Sequence, residues 1–219
     1  MTAPRIALIH AVTVAMPPVA AAFATLWPEA RVTNLLEDSL SPDRAAEREL
    51  TPAMSARIAA LARYAAGIGA DAVLFTCSAF GPAILAAARD LAPLPVLRPN
   101  EAMFDAALTV GGRIGMLATF GPAVASMEEE FAEAVGGSGA RLATVLVEPA
   151  MAALRAGDGA AHDRLLADAA PRLAGCGAVM LAHFSTSRAE AAVAAALPGT
   201  RVLTSPGAAV RALRARLRA

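Results

Sequence analysis

No lysine occurs among the 219 residues; arginine supplies every basic side chain. A Schiff base to pyridoxal phosphate or to a carbonyl substrate is therefore excluded. Cysteine is scarce as well. Cys77 and Cys176 are the only two, too few for a disulfide framework, which points to a reducing compartment. Net charge is absent, since 19 basic residues balance 19 acidic ones. No overall basic field exists to draw nucleic acid or an anionic membrane surface. The arginines that do cluster, in RALRARLRA at 211–219, read as the solvated end of a helix, where cations suit the dipole. There is no GxGxxG or GxxxxGK[ST] phosphate fingerprint. No apolar stretch is long and unbroken enough for a membrane-spanning helix. The apolar start MTAPRIALIHAV lacks a signal-peptide layout, and Pro17 and Pro18 interrupt it. The expectation is a soluble, cytoplasmic protein with no nucleic-acid or membrane partner. Its Ala-rich helices permit a homodimer without demanding one.

What is present is a regular alternation. RIALIH (5–10) is a β-branched run of the kind buried on both faces in a parallel sheet. Further strands are expected at 31–36, 70–78 and 95–99, and helices at 17–27, 51–69, 81–91 and 100–111. The polar segment 37–50 reads as a loop with a short helix. Thr51 is the expected N-cap of its helix and Pro52 its first residue. From Arg113 the pattern starts again. Strands are expected at 113–119, 143–149, 178–185 and 201–206. Helices are expected at 122–136, 162–177, 187–199 and 207–218, with Pro171 a boundary or kink. Alternating strands and helices argue for α/β architecture with parallel sheets.

The two halves also match residue by residue. RIALIHA (5–11) lies over RIGMLAT (113–119), GADAVLFTCS (69–78) over GCGAVMLAHF (175–184), and PVLRP (95–99) over RVLTS (201–205). A repeat of this length is a lobe, not a solenoid unit. The expected fold is two similar lobes, each a parallel four-stranded sheet flanked by helices. A pseudo-twofold axis would relate them, with the active site between. Lobe one would hold residues 1–108 plus 207–219, the last helix crossing back to it; lobe two would hold 109–206.

The repeat places Cys77 over His183, each where a buried strand meets its loop. Ligands of open α/β sheets bind beyond the carboxyl ends of strands. Those ends collect His10, Thr13, Thr76, Cys77, Ser78, Asn100, Thr119, Phe120, His183, Ser185 and Thr186. Small hydroxyls and turn amides suit a carboxylate, and a thiol with an imidazole can form a two-base pair. His10, Cys77 and His183 are also a zinc-type ligand set. None of them shares the short local spacing of a zinc motif, so no metal is expected. Blander readings apply elsewhere. Cys176 is core filler, His162 a surface or capping residue, and Glu128–Glu130 a solvated helix face. Asn100 and Glu101 either cap a helix or line a pocket. Arg98 and Arg188 lie near strand ends in sequence without a definite aim.

Over nearly the whole chain, the two-lobe repeat, LFTCSA, PVLRPNEAM and RIGMLATF resemble the aspartate/glutamate racemase superfamily, with its hydantoin racemase, maleate isomerase and arylmalonate decarboxylase relatives. The resemblance implies a cofactor-independent enzyme. One cysteine at each equivalent strand end would exchange the proton alpha to a carboxylate or carbonyl, and neighbouring hydroxyls and amides would hold the carboxylate. Cys77 matches the first cysteine, and Thr76 and Ser78 match its neighbours. His183 occupies the second cysteine's place. Arylmalonate decarboxylases keep their single cysteine at that second place, not at the first. The implied function is a racemase or isomerase of a small carboxylate, using Cys77 and His183 as catalytic residues. The alternatives are a decarboxylase of a malonate-type acid and a non-catalytic carboxylate-binding relative.

Overall fold

The computed structural model describes residues 3–218. Residues 1, 2 and 219 of the expected first lobe lie outside them. Among the described residues two four-stranded parallel sheets form, one from each half. The first has β1 (Arg5–His10), β2 (Arg31–Leu36), β3 (Ala72–Phe75) and β4 (Val96–Leu97) in the order β2-β1-β3-β4. The second has β5 (Arg113–Ala118), β6 (Arg141–Leu146), β7 (Ala178–Leu181) and β8 (Arg201–Thr204) in the order β6-β5-β7-β8. Their registers correspond. Arg5 pairs with Arg31 as Arg113 pairs with Arg141, and Ile6 with Ala72 as Ile114 with Ala178.

Helices α1 (Met16–Leu26), α2 (Leu40–Ala46), α3 (Pro52–Gly67), α4 (Gly81–Asp90) and α5 (Glu101–Leu108) follow the strands of the first half. The second half has α6 (Val124–Val135), α7 (Glu148–Arg155), α8 (Gly159–Ala169), α9 (Glu190–Ala196) and α10 (Ser205–Arg216). Helix α3 begins as expected: the Thr51 side chain accepts from the Met54 N–H at 3.2 Å, and Pro52 opens the first turn.

Two helices cross between the halves. From α10, Ala209, Val210 and Leu213 pack with Ile6, Leu8, Val19 and Phe23 of the first half. From α5, Met103, Phe104 and Ala107 join a core that includes Ile114, Met116 and Met180 of the second. The reciprocal crossing of α5 places residues 101–108 on the second sheet, although the expected division counted them with lobe one. As a folding unit that division remains a proposal.

The structure differs from expectation after β5. Strand β6 ends at Leu146, short of the expected 149, and α7 starts at Glu148. Pro149 accounts for this: proline suits the first turn of a helix, and Glu148 there complements the dipole. The expected strand absorbed that start, and α7 went unread. Helix α8 begins at Gly159, capped by Asp158 accepting from Ala161 N–H at 2.8 Å. His162 therefore sits inside the helix with no exposed surface, not on the outside as expected. Pro171 lies in a 3-10 turn, Ala170–Leu173, that closes α8. Glu130 is a second correction. The expected solvated face of α6 has this carboxylate turned inward, 3% exposed, against Gly81 of α4.

Candidate functional site

Strands β3 and β7 end at Phe75 and Leu181, and the chain reaches Cys77 and His183 two residues later in each half. Both residues open a 3-10 turn, Ser78–Phe80 and Phe184–Ala189. Both also line one small cavity between the sheets, with about 60 Å³ of free space. Of the other expected residues, Thr76, Ser78, Phe120 and Ser185 share its wall. Across it the Ser78 hydroxyl lies 3.2 Å from Nδ1 of His183, a hydrogen bond from the first half to the second. The Phe120 ring meets the His183 ring edge-on, centroids 6.5 Å apart.

The remaining expected residues are elsewhere. His10 is fully buried behind the cavity, with Nδ1 2.9 Å from Thr76 Oγ1 and Nε2 3.0 Å from Asn34 Oδ1. It ties β1 to β2 and to the end of β3. Asn34 Oδ1 can only accept, so Nε2 carries the hydrogen, and the Thr76 hydroxyl lies between Nδ1 and the Ile9 carbonyl, 3.4 Å away. With both nitrogens engaged, His10 is no partner for a metal with Cys77 and His183. Among the described residues no group of three or more His, Cys, Asp or Glu is placed to hold one. Asn100 is buried and accepts from Ser205 at 2.7 Å, joining the segments that follow β4 and β8. The Thr119 hydroxyl is buried without a partner. Thr186 turns back to the carbonyls of Ala182 and His183. Thr13 lines an adjoining hollow of about 670 Å³ that shares Val12, Val14, Ser41, Phe120 and Arg155 with the cavity.

Electrostatically the two strand ends are alike in one respect: burial disfavours charge on both. It pushes the Cys77 thiol up, while a backbone hydrogen bond from Ala79 and the charge of Arg44 pull it down. His183 has no compensating partner, and burial brings its pKa down to about 4. Its Nε2 is buried and unpartnered. At neutral pH the resting pair is a thiol and a neutral imidazole. The backbone differs more sharply. Cys77 is ordinary extended chain, but His183 stands at φ 71°, ψ 146° and is the one non-glycine residue with positive φ among those described. Such a conformation costs about 1–3 kcal/mol and persists only where surrounding structure enforces it.

Sequence reasoning missed Arg155, the last residue of α7. It lines both the cavity and the adjoining hollow. Its guanidinium lies 5.9 Å from the centroid of Phe120, within cation–π range. Among the described residues it makes no ion pair. Ser41 and Met151 also line the cavity. The available signal was the Glu-Pro helix start at 148–149; which way Arg155 would face was not readable. The two arginines noted from sequence are committed elsewhere. Arg98 pairs with Glu101, Glu130 and Glu133, and Arg188 with Asp163. Cys176 is buried in the second half's core, as filler would be.

The sequence matches the family described as Asp/Glu/Hydantoin racemase over residues 12–213. The chain belongs to that family. Comparison with curated proteins gives no match. Among solved structures, an allantoin racemase from Klebsiella pneumoniae superposes with a TM-score of 0.78 at 20% identity, covering 99% of this chain and 88% of its own. A glutamate racemase isoform from Bacillus anthracis gives 0.77 at 14% identity, covering 100% and 83%. An aspartate racemase from Picrophilus torridus gives 0.69 at 14%, covering 97% and 94%. At these identities the likeness is one of fold. No helix among the described residues is long and apolar enough to cross a membrane.

Proposed function

We propose that this racemase-family protein moves a proton at the alpha carbon of a small carboxylate, with Cys77 and His183 as the two acid–base groups and no cofactor. The observation that supports this reading is their shared cavity: equivalent strand ends bring one thiol and one imidazole to the same small space. The resting protonation state already suits one direction. The neutral imidazole takes the alpha proton, and the thiol delivers its own from the opposite side. The pair is left as imidazolium and thiolate, which neutralise each other by proton return through solvent. The arriving carboxylate makes the imidazole more basic, offsetting its burial. Arg155 at the cavity mouth anchors the anion, and Ser185 and the turn amides stabilise the enediolate.

The test is incubation with candidate amino acids, dicarboxylates and hydantoins in deuterated buffer, read by NMR at the alpha carbon. Deuterium uptake that vanishes in a folded Cys77→Ala supports the reading. Undiminished uptake in that variant removes Cys77 as the acid–base group. Carbon dioxide release from a malonate-type acid without exchange on other substrates would point to the decarboxylase, which needs only the single proton donor.

A further inference from the structure

The hydrogen bond between Ser78 and His183 can be made in two ways. In one, Nδ1–H donates to the serine oxygen; Nε2 then carries a lone pair, and the serine hydrogen has no acceptor. In the other, the serine hydroxyl donates to Nδ1, and Nε2–H has no acceptor. Ser78 makes no other side-chain hydrogen bond among the described residues, and Nε2 makes none. Each form therefore leaves one donor hydrogen without a protein acceptor, turned toward the cavity. Ser78 is 4% exposed and lines the cavity, which has room for water, and a ligand entering it displaces that water and must supply the acceptor itself. A carboxylate does so, and the hydrogen it binds decides the tautomer.

We infer that Ser78 is a positioning residue through which a bound carboxylate arms His183 as a base. A carboxylate oxygen accepting from the Ser78 O–H turns the serine oxygen into an acceptor for Nδ1–H. The hydrogen on Nε2 is lost to solvent as one is gained at Nδ1, with no net change in charge. Nε2 is left as a lone pair in the cavity. The positive φ of His183 fits this role, because it holds the imidazole where Nδ1 can reach across to the other half. The serine of lobe one thus links occupancy of the site to the basic form of a residue in lobe two. This rests on the reading of His183 as an acid–base group, and it replaces the expectation that Ser78 simply cradles the substrate.

The test does not need turnover. The chain has three histidines, so nitrogen-15 spectra of histidine-labelled protein resolve His183 from His10 and His162. Titration with malonate should move His183 toward the Nδ1–H tautomer, with a lone-pair signal at Nε2. Ser78→Ala should abolish that response, and Ser78→Thr should retain it. His10, held by Asn34 and Thr76, should not respond in any variant. Unchanged His183 tautomers on malonate addition, or a Ser78→Ala response equal to wild type, would overturn the inference. Failure of malonate to perturb any site signal would count against it too. Deuterium exchange separates the two claims. Uptake in Ser78→Ala with an unaltered pH profile leaves the proton-transfer reading intact and removes this one. A tautomer response without uptake on any substrate does the reverse.

Discussion

At the end of β3 the backbone is relaxed, and the Cys77 thiol is pulled both ways, up by burial and down by Arg44 and Ala79. At the end of β7 the backbone is strained, and nothing opposes the burial that keeps His183 neutral. The two positions share strand register, turn type and cavity. Duplication thus supplies the frame, and local sequence decides what each end can do. Thr76 in the first half is tied to His10, whereas its counterpart in the second half, Ala182, has no side chain to tie.

The strongest way to break this comparison is to remove each group in turn. Cys77→Ala should lower deuterium uptake by about 10³-fold and His183→Ala by about 10²-fold, within the usual range for a positioned acid or base. The ratio should depend on which enantiomer is supplied, since resting thiol and imidazole suit one direction. Equal losses for both enantiomers would make the two ends equivalent. His183→Cys sharpens the same point: with a thiol at each end, the pH–rate profiles of the two directions should draw together.

Stability against pH gives the next largest effect. His183 has its folded pKa near 4, below the ordinary 6.5. The unfolded chain binds the proton first, so this contribution is complete above pH 6.5 and is lost as pH falls toward 4. Glu130 behaves oppositely. Burial, with Glu133 and Glu101 nearby, lifts it from 4.5 to about 7 against the pull of Arg98. Its contribution is complete below pH 4.5 and is lost as pH rises toward 7. Each is worth up to about 3 kcal/mol. Thermal melts should show Glu130→Gln gaining stability relative to wild type near pH 8. His183→Phe should lose less than wild type between pH 6.5 and 4. Parallel pH curves for wild type and both variants would contradict these environments.

The smallest effect compares two strands. Ala7 in β1 corresponds to Gly115 in β5. A Cβ on Gly115 would lie 2.9 Å from Leu173 Cδ1 and 3.0 Å from Val179 Cγ2. Gly115→Ala should therefore cost about 1–2 kcal/mol by overpacking, measured by denaturant titration, although the first half carries alanine at that place. No measurable cost would mean the second half is less tightly packed around Leu173 than it looks.

Much of the fold was legible because buried parallel strands advertise themselves as apolar runs, and the repeat aligned them. The errors fell at β6, α7 and α8. There a half-exposed edge strand, exposed or half-buried along most of its length, ran into a proline-initiated helix, and hydropathy marks neither boundary. The residues that line the shared cavity were legible where strand register fixes them, at Thr76, Cys77, Ser78, His183 and Ser185. Asn100, Thr119 and Thr186 shared the strand-end address but turned inward, because side-chain direction after a strand depends on the turn that follows.

Sequence alone determined the duplication, the parallel sheets and the pairing of a thiol position with an imidazole position. These follow from local periodicity and self-similarity, which need no knowledge of distant contacts. Only the tertiary structure decided that Arg155 faces the cavity, that His10 is engaged behind it, and that Ser78 reaches His183 across the lobes. Those outcomes depend on how separate segments pack, and packing brings together residues whose spacing along the chain carries no trace of the contact.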